Sequence, residues 1–414
     1  MIVKIPMNMT TLLATTVGVA LIGAYAFLAD TTLGNWPGFQ TPAGAASATL
    51  DAREVDVTRA VPVSNRNAYY QQQAARRSVG AQDVMAIDAG FVGAFVDAGR
   101  FENLSDPAYD AGQLADSLID AAWQQGQGAD GRQYAIPVEA GPRLLYFRRD
   151  IAALHDTDIA DVVTSWQSYV AYGRALRDQG IYLVADAADV ADLIIATTMQ
   201  DGEGLYFDSD GQSLLTSNRF VTAFQIARTL REEGLDGQIV ELSPEWYDAF
   251  NSGAVATHIT GSWQLAHLQH GMTPDIADMW AASVLPNGAQ GSWGVTFLAI
   301  PKEADNKQAV WDFITAMAPS DQALAADWKT KRAGQSLRAK LVGAPDADMT
   351  HVGDPQTRML FAEVVENDAV VGHGARDLLA RDIVAAALAD VLDDGKGIMV
   401  ALTEAENTLT QSYD

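Results

Sequence analysis

Asp88 closes a short apolar stretch, Asp83-Val-Met-Ala-Ile-Asp88, and a helix-like run from Phe91 follows it. In open α/β sheets ligands meet the carboxyl ends of strands, so this carboxylate could face a ligand. It could equally cap the helix that starts near Gly90. Trp263 follows Gly261-Ser at the start of a helical pattern, and Trp293 stands in Gly291-Ser-Trp-Gly294. Each indole offers a flat apolar face with one N–H donor, suited either to stacking on a ligand or to core packing. Trp311 falls on a helical face and reads as structural, whereas Trp246 and Trp280 fit either role.

Other constellations fail on spacing. His267-Leu-Gln-His270 lacks the Glu and the i, i+4 spacing of a zinc helix and reads as a solvated helix face. Asp208-Ser-Asp210-Gly211 has part of a calcium loop, but Tyr206 and Ser217 stand where that loop needs Asp and Glu, so a plain turn is expected. The chain has no Gly-x-Ser-x-Gly elbow and no Gly-rich phosphate loop ending in Gly-Lys-Ser/Thr.

The elements that must position these residues come from a chain of 414 residues, which fits roughly two domains of about 150 residues with extras. Apolar residues make up 48%, enough for a sizeable core. With 27 Lys plus Arg against 53 Asp plus Glu the net charge is −26, a field that repels phosphate backbones and makes nucleic acid an improbable partner. The absence of Cys removes disulfides, thiolate metal sites and a lipidated N-terminal Cys.

After Lys4 the next charge is Asp30, and Thr11 to Leu28 is apolar, with small residues at Ala24 and Ala26. Residues 1–26 read as a secretory signal or, because about 18 apolar residues can just span a bilayer, as an uncleaved anchor. Residues 27–50, with Pro37 and Pro42, read as an irregular lead-in. Beyond it, strands are expected over 54–61 and 83–88 with helices over 67–79 and 91–98, the rhythm of an α/β domain with a largely parallel sheet. The middle repeats it: strands over 133–137, 144–147, 254–259 and 296–300, helices over 163–179, 219–233, 261–267 and 306–317. On the 219–233 helix Phe220, Phe224, Ala227 and Leu230 share a face. Helical patterns dominate from Asp321 on, ending with 383–392 and 401–409.

Several stretches in order resemble the family 1 extracellular solute-binding proteins, the maltose- and trehalose-binding group. They are Asp83 to Asp88 with Phe95-Val-Asp-Ala-Gly99, and Gly131-Arg-Gln-Tyr-Ala-Ile-Pro137 leading to Leu144-Leu-Tyr-Phe-Arg-Arg-Asp150. Phe250-Asn-Ser-Gly253-Ala-Val-Ala256 with Gly261-Ser-Trp263 follows, then Gly291-Ser-Trp293-Gly with Asn306-Lys-Gln-Ala-Val-Trp311, and Val391-Leu-Asp-Asp-Gly395. Phe147 and Arg148 depart from the family's Tyr and Asn, and Arg143 stands where relatives often have Gly; these bear on the ligand more than on the fold.

The resemblance implies a two-lobe α/β periplasmic-binding-protein (Venus-flytrap) fold of type II with an interlobe cleft, preceded by the signal or anchor helix. One lobe would hold 51–139 plus 295–319 and the other 140–294 plus 320–414, closing by hinge motion. It implies a receptor that captures a sugar or oligosaccharide and hands it to the permease of an ABC importer. Such a receptor needs no cofactor or metal, works as a monomer, and is periplasmic or extracellular. Trp263 and Trp293 match sugar-stacking positions of relatives. Glu139 and Arg143 flank the first expected crossing between lobes, where Arg143 would grip hydroxyls or an acidic group bidentately or else form a surface ion pair. Two other readings stay open: a non-sugar solute such as an amine, phosphodiester or organic acid, and a glycan-acting enzyme. Among 53 acids some carboxylate pair is guaranteed, so a pair alone would not mark the enzyme.

Overall fold

The computed structural model describes residues 84–118, 120–199, 203–241, 243–261, 279–289, 292–304, 307–317 and 375–412, with single positions 276, 360 and 364. The N-terminal apolar run, the lead-in, the 54–61 strand, the 67–79 helix and the 261–267 helix beyond Gly261 lie outside the described residues.

In chain order the first elements are β1 (Met85–Asp88), α1 (Ala89–Asp97), a 3-10 helix (Ala111–Ser117), α2 (Asp120–Gln125), β2 (Ala135–Arg148), α3 (Arg149–Leu154), α4 (Ile159–Val162), α5 (Trp166–Arg177) and α6 (Ala187–Thr197). They continue with α7 (Asn218–Glu232), α8 (Pro244–Ser252), β3 (Thr257–Gly261), β4 (Trp280–Ser283), β5 (Ser292–Ala299), α9 (Lys307–Met317), α10 (Ala375–Leu392) and α11 (Ile398–Gln411). The chain divides into two compact units, Met1–Ala140 with Gly294–Asp348, and Gly141–Trp293 with Met349–Asp414. No helix among the described residues is long and apolar enough to cross a membrane.

In the first unit β1 pairs antiparallel with β5, Met85 opposite Ala299 and Asp88 opposite Thr296. The apolar run that makes β1 continues into α1, which buries Phe91, Val92 and Phe95. Phe95 stacks on Phe101 with centroids 5.2 Å apart. Trp311 of α9 is buried edge-on against Tyr109 at 5.6 Å, so it is structural as expected.

In the second unit β3 and β4 both pair antiparallel with β2, with registers from Arg143↔Gly261 to Phe147↔Thr257 and from Leu145↔Ser283 to Arg148↔Trp280. Two expectations are corrected here. First, β2 is one 14-residue strand rather than separate strands over 133–137 and 144–147. Gly141-Pro142 looks like a break, but the β3 register begins at Arg143, so the donor that Pro142 lacks is not demanded by that ladder. Second, the sheet is not largely parallel: every registered pair of strands among the described residues is antiparallel. Among the described residues parallel pairing occurs at the bridges Tyr182↔Val255 and Val184↔Asp236, where short extended segments feed α6 and leave α7. β2 takes its partners from stretches more than a hundred residues away, which local β-α alternation does not specify.

The core of this unit gathers Leu145 and Ile259 from the sheet with Tyr169, Leu183, Leu193, Phe224, Leu230, Leu388 and Leu402. Each such side chain adds about 1.5–3 kcal/mol when fully buried. α7 buries Phe220, Phe224, Ala227 and Leu230, the face its periodicity predicts. Helix starts are set by local chemistry. Ser165 accepts from Ser168 N–H, Asp186 from Ala188 N–H and Ser243 from Trp246 N–H. α8 ends at Gly253, whose φ of 78° suits glycine best.

Candidate functional site

Three segments of the second unit run in one direction. Leu183 N–H donates to Leu235 O, Gly237 N–H to Val184 O and Ile239 N–H to Ala185 O. On the other side Ala256 N–H donates to Tyr182 O and Thr257 N–H to Leu183 O. Their carboxyl ends, at Ala185, Val240 and Gly261, therefore share one end of the sheet. Arg143 lies at that end too, because β2 is antiparallel and pairs Arg143 with Gly261. This is the end of an α/β sheet where ligands are met.

α6 begins at this end, and its first two turns are acidic. Asp186 caps it, and the buried Asp236 carboxylate accepts from Ala187 N–H and from Arg231 Nε. Asp189 and Asp192 follow at three-residue spacing, which places them on one helix face. Desolvation pushes the Asp189 carboxyl well above its ordinary range, helped by Glu241, Asp186 and Asp192 and opposed by Arg143. Asp192 is also raised, first by desolvation, against the pull of Arg143 and Arg381. Yet Asp192 is solvent-accessible and Asp189 partly so. Asp189, the less accessible of the two, is the one whose ionised form burial disfavours more.

His258 of β3 comes close to this end. It is 3% exposed, its Nε2 has no hydrogen-bond partner, and Glu241 Oε1 lies 3.9 Å away. Burial depresses its pKa to about 3, so the ring is neutral near pH 7. On its other side the ring meets Trp246 and Phe250 edge-on at 5.3 and 5.2 Å. Trp246 stacks on Phe250, and Phe250 on Trp280, so both of these tryptophans are core residues. Thr260, two positions on along the same face of β3, is fully buried with its hydroxyl unpartnered.

The residues singled out from sequence fall as follows. Asp88 ends β1 and occupies the N-cap position of α1, but its side chain makes no cap hydrogen bond, so the cap reading fails. Arg143 is 7% exposed, which overturns a surface ion pair. Glu139 lies in β2 and Trp293 in β5; only their backbone positions are described. Trp263 and the His267–His270 pair lie outside the described residues. Arg148, the departure from the family's Asn, is buried: it pairs with Asp150 at 2.7 Å and donates to Phe250 O at 3.0 Å, an internal brace. Asp208 spends one carboxylate oxygen on the N–H groups of Asp210 and Gln212, a plain turn as expected. Among the described residues no group of three potential ligands could hold a metal ion. Asp189, Asp192, Glu241 and His258 were not singled out from sequence. The signal present was Asp186, Asp189 and Asp192 at an exact three-residue period ahead of an apolar run.

The chain is similar to several known proteins. The chain is 24% identical over 207 residues to an arabinooligosaccharide-binding protein of Halalkalibacterium halodurans, a match over 47% of this chain and 45% of that protein. The aligned part thus spans a little under half the length of that curated relative. Among solved structures, the ABC transporter associated binding protein of B. animalis subsp. lactis, in complex with beta-1,6-galactobiose, superposes with a TM-score of 0.71 at 18% identity, over 88% of this chain and 93% of that one. The GacH receptor of Streptomyces glaucescens, solved unliganded and with acarbose, gives 0.69 at 19% identity, over 90% and 96%. These likenesses establish the two-lobe α/β fold of the sugar-binding receptors. The family model described as bacterial extracellular solute-binding protein matches residues 47–337, more than half of the chain. The chain belongs to the bacterial extracellular solute-binding proteins.

Proposed function

We propose that this protein is the substrate-binding component of an ABC importer, and that it captures a sugar or oligosaccharide and delivers it to the membrane permease. The observation that carries this reading is the family match over 47–337, joined to structural neighbours whose bound molecules include a galactobiose, acarbose and ribitol. The second unit offers suitable chemistry at its sheet end. Planar carboxylates and a guanidinium make paired hydrogen bonds with vicinal hydroxyls, and aromatic faces cover C–H surfaces.

In this reading Asp88, Glu139, Arg143, Trp263 and Trp293 contact the ligand, joined by Asp189 and Glu241. The lobes are 51–139 plus 295–319 and 140–294 plus 320–414. Residues 1–26 direct export, so the protein works in the periplasm or at the cell surface as a monomer. No bond is made or broken: binding energy selects the conformation that docks on the permease. Released reducing ends from a glycan panel would overturn that part.

A thermal-shift screen of mono- and disaccharides, polyols, amines and organic acids tests the reading. A ligand at about 100 times its dissociation constant adds about 2.7 kcal/mol, which is readily visible. A shift with a sugar series is expected. A shift only with a simple amine or an organic acid would keep the family and overturn the substrate class.

A further inference from the structure

We propose that the face of the second unit's sheet beneath α8 holds ordered internal water, anchored between His258 and Glu241, and that His258 acts through it as a positioning residue for the Glu241 carboxylate. This concerns the end of the sheet where the sugar-receptor reading puts a ligand against Glu241, but it stands or falls without that reading.

Four neighbouring side chains on this face are buried and carry a polar atom that no other protein group meets. They are Tyr146, His258 and Thr260 of the sheet, with Trp246 of α8 above them. The register of β2 and β3 sets His258 directly opposite Tyr146. That brings their Cβ atoms within about 4.5–5.5 Å on one side of the sheet. Thr260 follows two residues on, so it points to the same side. The Trp246 indole meets the imidazole edge-on at 5.3 Å. Buried polar side chains nearly always find a partner, so four exceptions around one ring share one cause. The missing partner must accept from an indole N–H, which only donates, and must suit two hydroxyls and an imidazole, which can do either. Water donates and accepts, and it lodges in small buried spaces that offer it two to four polar groups.

Glu241 supplies the anchor. Its Oε1 lies 3.9 Å from His258 Nε2. That is too long for a direct bond and is a span that one bridging water covers with two ordinary bonds. The imidazole is 3% exposed and is held edge-on by Trp246 and Phe250, so it is a fixed point. The Glu241 side chain is 29% exposed and thus stands between solvent and that fixed point. Burial keeps the ring neutral near pH 7, which makes the link a hydrogen-bonded one rather than an ion pair. A water held this way restrains an otherwise mobile carboxylate at the mouth of the sheet.

The test is a crystal structure of the purified full chain, solved without added sugar at a resolution that orders water. A density peak is expected about 2.7–3.2 Å from both His258 Nε2 and a Glu241 oxygen. Two variants separate positioning from packing. His258→Phe keeps a ring against Trp246 and Phe250, and it is expected to lose the peak and turn the Glu241 carboxylate away. His258→Gln keeps a polar tip and is expected to restore both. Tyr146→Phe and Thr260→Val, which delete only hydroxyls, are each expected to lower the melting temperature by a few degrees, because the water loses a partner. Should His258→Phe fail to fold, the peak in the unaltered protein and the two hydroxyl variants still decide. Three structural results overturn the inference: no peak at that position, a direct His258–Glu241 bond, or a peak about 2.0–2.2 Å from both groups, which would be a metal ion. So does a Glu241 carboxylate unmoved in His258→Phe. Melting temperatures that fall in neither hydroxyl variant, the result for groups that were merely unpaired, overturn it as well.

Discussion

The aromatic cluster of α8 and the acidic end of α6 belong to one sheet but treat desolvation in opposite ways. Around α8, Trp246, Phe250 and Trp280 are stacked and fully buried, and their apolar faces exchange water for contact. At α6, burial disfavours the ionised form of Asp189, and Arg143 does not offset it. The first region stabilises the fold. The second costs stability and keeps charge poised at the end of the sheet where a ligand arrives. Regions held against their own stability are where function tends to be found.

The largest expected effect that would separate the two is a cavity. Trp246→Ala should destabilise the protein by about 3–5 kcal/mol in urea unfolding. A loss below about 1 kcal/mol would mean that the cluster is not core.

The pH response sharpens the contrast, because the two regions have opposite signs. His258 has a folded pKa of about 3, below the ordinary 6.5, so the unfolded chain takes up its proton first. Its stabilising contribution is complete above about pH 6.5 and is lost as pH falls toward 3, amounting to a few kcal/mol. His258→Phe should flatten this acid limb of the stability curve.

Asp189 and Asp192 are raised, so the unfolded chain ionises first. Their contribution is greatest below the ordinary carboxylate value of 3.8 and declines as pH rises toward their folded values. Asp189→Asn should therefore raise the melting temperature near pH 7 by a few degrees while weakening ligand binding. A fall in both would show that the carboxylate is structural.

The smallest effect is expected away from both regions. Arg174 and Glu233 form a bidentate pair at 2.6 and 2.7 Å, but they are half-exposed, so Arg174→Ala should cost less than about 1 kcal/mol.

Much of the fold was legible from local pattern. The helix of Phe220, Phe224, Ala227 and Leu230 was expected over 219–233 and occupies Asn218–Glu232. The strand ending at Asp88 and the helix of Trp311 lie where their apolar runs put them. α8 was overlooked although its signals are in the chain: Ser243 as cap, Pro244 at the first position and Gly253 at the end. α6 was overlooked because its start, Ala185-Asp-Ala-Ala-Asp-Val-Ala-Asp, is too poor in large apolar residues to show an amphipathic stripe. Both α6 and the acids it carries escaped for that one reason.

By itself the sequence determined the chemical class of the protein: an acidic, cysteine-free α/β chain with the ordered motifs of a solute-binding receptor. Those properties are sums or short-range patterns, and they survive without knowledge of long-range pairing. Tertiary structure alone decided the antiparallel pairing of β2 with β3 and β4, the burial of Arg143, and the meeting of residues 143, 189, 241 and 258 at one end of a sheet. Each of these depends on strands distant along the chain coming into register. The field that raises the Asp189 carboxyl exists only once that register has removed its water.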